Sequence, residues 1–249
     1  MSNATTMLGR NFKHTLRNPV AVFNAILFPI VLLLMFVYVI GGAFDKVAVG
    51  GKYIDYITPG MIVLTICYGL SATALSVNSD MAKGIINRFK VMDISRSAVL
   101  SAHVAATMLR SLIAVAAVIG VAFAMGFRPA ASFPEWLGAI GFIALLSFAT
   151  SWITVALGLA AKSPETAGLV TVPLIMLPFL SSAISPADTM GPGVRQFAEY
   201  QPFTPIIETL RGLLTGQPSA SHTLVAVAWC VGIALVGYAW SLSTFKKRA

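Results

Sequence analysis

The chain has 249 residues, 57% of them hydrophobic and 10% charged, with 17 Lys and Arg against 9 Asp and Glu and a formal net charge of +8. Soluble domains carry roughly 25% charged residues, so this composition excludes a soluble globular protein; the apolar runs are continuous, which argues against an outer-membrane barrel. The basic residues sit in short connections between apolar runs, a pattern that sets membrane orientation and does not point to nucleic acid.

Residues 1–18 come first. Leu8, Phe12 and Leu16 recur at i, i+4, i+8, while Arg10, Lys13, His14 and Arg17 occupy other faces. The pattern predicts an amphipathic helix on the cytoplasmic interface, in which Arg10, Phe12, Lys13 and Arg17 meet headgroups; a frayed tail is the alternative. Pro19 breaks the register. Val20–Phe44 is uncharged and longer than the ~20 residues that a span needs. It is also longer than a signal-peptide core, and Phe44-Asp45-Lys46 offers no small-residue cleavage pattern, so it reads as a retained span. A polar loop, Asp45–Asp55, precedes a second uncharged run, Tyr56–Ser79, which opens through Pro59-Gly60.

Asp80–Ser97 is the longest charged connection. Met81, Ile85 and Phe89 line one helical face and Lys83, Asn87 and Lys90 another, which predicts a short amphipathic helix able to serve as a handle for a motor outside the membrane. The third span is uncharged over Ser111–Phe127, but its helix is expected to start near Ala98, with Arg110 inside it. Arg128–Glu135 forms a turn with Pro129 and Pro134. Trp136–Ala161 is the fourth span, Lys162–Thr166 a tight loop, and Ala167–Ala187 the fifth span, bent at Pro173 and Pro178. Leu224–Phe245 is the sixth, stopped by Lys246-Lys247-Arg248. With both termini on one side, eleven basic residues fall on that side and five (Lys46, Lys52, Arg128, Arg195, Arg211) on the other. The excess predicts cytoplasmic termini.

Residues 188–223, before the last span, are unusually apolar for a loop. Thr204-Pro205 reads as an N-cap followed by an N1 proline, and Gly216 with Pro218 as a stop. Ile206, Ile207, Leu210, Leu213 and Leu214 make an apolar face on a helix of about 11 residues, ~16 Å long and too short to cross. Val194, Phe197 and Tyr200 hint at another short helix. The segment 193–216 is therefore read as two half-inserted outer helices, carrying Pro202, Pro205, Glu208 and Arg211. A folded outer loop packed on the bundle is the alternative. The chain shows no internal repeat and reads as one domain over 1–249, an all-α polytopic membrane protein.

Chemistry-bearing motifs are sparse. Gly50-Gly51-Lys52 is followed by Tyr53 and lacks the spaced first glycine of a P-loop, so the chain has no nucleotide site of that kind. H-E-x-x-H is missing, and no metal ligand set or catalytic residue is assigned. Cys67 and Cys230 lie inside apolar runs and give no disulfide framework. Ser71 with His222 evokes an intramembrane serine protease, yet a serine at mid-span is far more often a packing residue. Arg110 is the one charge within an expected span: either functional or snorkelling to the headgroups. No carboxylate falls within a span. A proton- or sodium-coupled carrier usually needs one, so energy is expected from outside the chain.

In these motifs the chain resembles the permeases of type-2 ABC exporters, most closely the daunorubicin-resistance branch. Arg17-Asn18-Pro19 matches the basic approach into the first span, and Phe28-Pro29 with Tyr38-Val39-Ile40-Gly41 matches its mid-helix proline and aromatic-Gly end. Asp55-Tyr56 with Pro59-Gly60 opens the second span. Asp80-Met81, Gly84-Ile85-Ile86 and Arg88-Phe89 match the cytoplasmic loop; Pro202 with Thr204–Arg211 matches the outer segment. Three positions depart: Lys83 stands where a Glu is common, Asp93-Ile94-Ser95 where a Pro often follows, and Gln201-Pro202 where the family has Asn-Pro.

The resemblance implies two copies, or this chain and a paralogue, in a twelve-helix pore domain, with two separate ATPase subunits beneath it. ATP and Mg would sit on those ATPases and no cofactor on this chain. Met81, Lys83, Gly84, Ile85, Arg88 and Phe89 would couple the ATPases to the bundle. The expected activity is export of an amphipathic drug, lipid or glycolipid across a bacterial cell membrane. A secondary carrier or channel without an ATPase is the rival; an intramembrane enzyme is the third reading.

Overall fold

The structure, a computed structural model, describes residues 19–44, 52–82 and 96–248. The interface helix expected over 1–18 and the coupling residues Lys83, Gly84, Ile85, Arg88 and Phe89 lie outside the described residues. Among those described, the chain is helix and turn without a strand. Four helices are long and apolar enough to cross a membrane: Tyr53–Ala82, Val99–Ala124, Phe133–Ala160 and Ala220–Lys247. Two shorter apolar stretches, Ile26–Ile40 and Pro164–Leu180, accompany them.

The first helical path runs from α1 (Pro19–Met35) through a π-helical turn, Phe36–Ile40, into α2 (Gly41–Phe44). The π-turn falls on the aromatic-Gly pattern noted in the sequence, and such turns mark helices that can shift register or bend. The second path is α3 (Tyr53–Tyr68) and α4 (Leu70–Ala82), interrupted only at Gly69. It is longer than expected at both ends. Asp80, read as the first residue of a loop, is still helical, so the expectation that no carboxylate lies in a span helix needs correcting. His103 Nε2 sits 3.4 Å from Asp80 Oδ2, both side chains largely buried, so the helix carries its acid against a paired imidazole.

α5 (Arg96–Ala124) ends at a turn where Gly126 adopts φ +100. α6 (Phe133–Ala160) begins where the Ser132 backbone N–H donates to Glu135 Oε2 at 2.6 Å, one half of a capping box. Asn78 ties α6 to α4 at its far end, its amide donating to Gly158 O at 3.2 Å and Ala161 O at 2.8 Å. These are carbonyls that a helix C-terminus would otherwise leave unpaired. The last helix, α11 (Ala220–Arg248), packs on α6 through a seam of buried small residues: Ala226, Cys230, Ala234, Gly237 and Ser241. A Cβ built on Gly237 would lie 2.5 Å from Ile153 N. Small side chains at such a crossing let backbones close in, and that packing is what holds helices together in lipid.

The contacts fix an up-and-down order. Arg128 N donates to Asp55 Oδ1 at 3.1 Å, joining the end of α5 to the start of α3; that end also holds the start of α6. At the opposite end Phe245 packs with Leu100, Val104 and Leu159 in a smaller apolar cluster. The main core fills the rest, from Leu33 and Tyr53 through Ile57, Met61 and Leu146 to Ile206 and Leu210. Leu224, Leu235 and Val236 on α11 and Leu137 and Ile140 on α6 face outward, as lipid-facing or copy-facing side chains do.

Candidate functional site

The fifth apolar stretch is where the fold departs most from the sequence expectation. It is not one bent helix over Ala167–Ala187. It comprises α7 (Pro164–Leu169), α8 (Val172–Met176) and a 3-10 turn, Leu177–Leu180, after which the backbone is non-helical until Ala187–Thr189. Ser163 caps α7, its Oγ accepting from Thr166 N. Pro173 and Pro178 cannot donate to the preceding turn, so the weakened helix stops at Leu180.

Bare backbone is tolerated in a membrane bundle only where protein groups satisfy it, and here they do. Gln201 Nε2 donates to Leu177 O at 3.1 Å and Leu180 O at 2.7 Å, closing the end of the 3-10 turn. Ser182 O accepts from Tyr56 Oη at 2.9 Å and Arg211 Nη2 at 2.8 Å. Ser182 N donates to Thr204 Oγ1 at 3.3 Å, and Ile184 O accepts from Tyr53 Oη at 3.0 Å. Gly60 presses on the same segment: a Cβ there would stand 2.6 Å from Ala183 O and 2.7 Å from Ala183 Cα.

The groups that strap the break come from α3 and from residues 188–223. That segment forms α9 (Val194–Tyr200) and α10 (Phe203–Thr215), the pair of short helices expected from the sequence. α10 starts at Phe203, with Pro202 before it, so Thr204 is not its N-cap. Its hydroxyl is spent on Ser182 instead. Pro205 is buried in the first turn, and the Thr209 hydroxyl donates to its carbonyl at 2.7 Å. Gly216 ends the helix in the left-handed region, φ 72, as a C′ glycine does. Ile206, Ile207, Leu210 and Leu214 are buried in the main core, so α10 is wedged against α3, α6 and α11.

Arg211 is the centre of this arrangement. Its Nε and Nη2 donate to Tyr56 O at 3.3 and 3.2 Å, its Cζ lies 3.7 Å from the Tyr56 ring centroid, and Nη1 pairs with Glu208 one turn before it. A planar guanidinium can serve a carbonyl, a carboxylate and an aromatic face at once, which a lysine cannot. Arg195 and Glu199 form a second, exposed ion pair on α9 that raises the Arg195 pKa.

Two further predicted sites lie nearer the other end. Met81 is half-buried and packs on the smaller cluster, so it faces the bundle. Arg110 Nη2 donates to Thr73 Oγ1 at 3.0 Å and reaches Thr107 Oγ1 at 3.5 Å. It therefore turns toward α4 inside the bundle, where a snorkelling arginine would turn to the headgroups. Ser71 is hydrogen-bonded to Thr171 at 2.7 Å, and His222 is exposed at the opening of α11; they form no catalytic pair. Among the described residues no cluster of His, Cys, Asp or Glu could hold a metal ion.

Of the outer residues named from sequence, Glu208 and Arg211 are brought together and Pro202 and Pro205 frame the helix that carries them. Tyr53, Tyr56, Gly60, Gln201 and Thr204 were missed as site residues. The one local signal was the Tyr53/Tyr56 pair at i, i+3 on a face turned to the core.

This arrangement has no nucleophile paired with a base. It can hold a broken helix shut with bonds to backbone carbonyls, and it can exchange them. Comparison with known proteins agrees with a transport role. Residues 3–215 match the family described as ABC-2 type transporter. A daunorubicin resistance ABC transporter permease protein of Streptomyces coeruleorubidus is 30% identical over 226 residues, covering 90% of this chain and 77% of that one. The ycf38 protein of Porphyra purpurea is 24% identical over 233 residues, covering 90% and 78%. The chain belongs to the ABC-2 type transporter family.

Proposed function

We propose that this chain is the membrane-spanning permease of an exporter driven by separate ABC ATPase subunits, working as a pair with a second copy or a paralogue. Its cargo is an amphipathic drug, lipid or glycolipid, moved outward across a bacterial cell membrane. The termini and residues 80–97 lie in the cytoplasm, and the strapped break lies at the outer face, as the distribution of basic residues favours. ATP and Mg bind on the partner ATPases. The single observation that carries the reading is that the family match over residues 3–215 takes in both the charged connection and the strapped break.

In this mechanism ATP binding closes the ATPase dimer and moves residues 80–97. Energy delivered there shifts the bundle only by the difference in the partner's grip on its two states. Met81 anchors the connection to the smaller cluster, while Ile85 and Phe89 fill a groove on the ATPase; Lys83 and Arg88 meet its charged rim. At the far end the bonds to Leu177, Leu180, Ser182 and Ile184 carbonyls hold the outer gate, and their exchange opens it. Residues 1–18 meet the cytoplasmic interface through Arg10, Phe12, Lys13 and Arg17.

The test is the co-expressed complex carrying Ile85→Ala with Phe89→Ala. Substrate-stimulated ATPase activity is expected to fall at least tenfold, with the ATPase lost from the purified complex or bound but uncoupled. Unchanged assembly together with unchanged stimulation would show that this face is not the handle.

A further inference from the structure

Arg110 lies near the middle of the apolar span Val99–Ala124. About 16 Å of helix separates it from the nearer end, more than an arginine side chain can reach. Its guanidinium is held by a chain of threonines whose donor order is set by its last link. Thr107 Oγ1 donates to His103 O at 2.8 Å, so the 2.9 Å contact between Thr73 and Thr107 uses the proton of Thr73. Thr73 Oγ1 is then left to accept from Arg110 at 3.0 Å. Both hydroxyls thus position the cation without neutralising it.

The contrast with Arg211 is direct. Arg211 pairs with Glu208 and also donates to two backbone carbonyls. Arg110 pairs with no carboxylate among the described residues; the acid of the neighbouring helix, Asp80, is paired with His103. Only Nη2 of its donors is engaged there, and an arginine carries five N–H groups in a planar fork. An unneutralised charge inside an apolar span is costly and marks a ligand path more often than a structural site. Arg110 is half-buried, and Leu109 and Ile113 beside it on α5 are exposed apolar side chains.

Resting on the transport role above, we propose that Arg110 is a cargo-recognition residue for an anionic amphiphile: its free donors grip the phosphate of a lipid-like headgroup while the tails lie along Leu109 and Ile113. A guanidinium fork matches two oxygens of such a group. Thr73 and Thr107 are positioning residues that aim the fork.

Binding of short-chain phosphatidylglycerol, short-chain phosphatidylcholine and soluble sn-glycerol 1-phosphate is measured without ATP, by native mass spectrometry on the chain–ATPase complex. The wild type is expected to bind phosphatidylglycerol at least tenfold more tightly than phosphatidylcholine, with glycerol phosphate competing only at far higher concentration. Arg110→Gln is expected to lower phosphatidylglycerol affinity about tenfold and leave phosphatidylcholine unchanged. Arg110→Lys retains part of the preference, and Thr73→Val, which keeps the charge but frees its aim, loses several-fold.

Equal affinity of the wild type for the two lipids overturns the proposal, as does wild-type phosphatidylglycerol affinity in Arg110→Gln. Competition by glycerol phosphate at matched concentration overturns the lipid source. Should Arg110→Gln fail to assemble, unchanged affinity in both Arg110→Lys and Thr73→Val overturns it equally. Because binding is read without ATP, transport found to be independent of the ATPase would sink the proposed function and leave this result standing.

Discussion

Arg211→Ala is expected to abolish transport and to destabilise the bundle by about 3 kcal/mol, the scale for stripping a part-buried cation from its carboxylate and carbonyl partners. The substitution strips Tyr56 O of its two side-chain donors and Ser182 O of one of its two, and it leaves Glu208 without its cation. Tyr56 still holds Ser182 O through its hydroxyl, so the break is loosened and that end of the bundle left unlatched. Arg211→Lys should recover the charge balance with Glu208 but not the fork, giving intermediate stability and poor transport. The measurement is thermal unfolding of the purified complex beside its cargo-stimulated ATPase rate. A wild-type melting temperature with wild-type stimulation in Arg211→Ala would show that the strap is ornamental.

Gly60→Ala is expected to damage the strapped break directly. The added Cβ would lie 2.6 to 2.8 Å from three atoms of Ala183, two of them backbone, which cannot rotate aside. Either α3 or the non-helical segment must retreat, breaking the bonds of Tyr53 and Tyr56 to Ile184 O and Ser182 O. Overpacking a well-filled core costs about 1–3 kcal/mol, and the lost hydrogen bonds add to it. Gly120→Ala is the control. Nothing stands within 4 Å of a Cβ there, and alanine is favoured over glycine in a helix by about 1 kcal/mol. Gly60→Ala should lower the unfolding temperature sharply while Gly120→Ala holds or raises it. Similar behaviour of the two variants would mean that the close approach is not structural.

These two residues show what the sequence could and could not disclose. Apolar run lengths located the four long helices, because a ~30 Å bilayer core imposes its own length. Gly216 was legible as a stop because a positive φ is a local demand. The start of α5 near Ala98 and its inclusion of Arg110 were legible in the same way. The break at Leu180 was not. Pro173 and Pro178 announce a bend, but what makes the unwound backbone tolerable is supplied by Tyr56, 126 residues away from Ser182, and by Tyr53, 131 away from Ile184.

Local propensity also misled at Thr204-Pro205. The pair is a good cap by composition, yet the Thr204 hydroxyl is drawn off to Ser182, and the helix starts two residues earlier. Charge counting treated Arg211 as an outer-side cation, since nothing in its neighbours shows that it folds back over Tyr56. The helix through Asp80 ran on because His103, on another helix, takes the carboxylate.

In the proposed mechanism this chain moves its cargo only when a separate ATPase works on it. Proteoliposomes containing the chain alone, or the chain with its ATPase, are loaded with fluorescent phosphatidylglycerol, fluorescent phosphatidylcholine or rhodamine 6G, with and without ATP. Movement of at least one probe is expected in the complex with ATP, and none above empty vesicles with the chain alone or without ATP. Equal movement by the chain alone in the absence of ATP would contradict this mechanism and identify a carrier or channel that needs no motor.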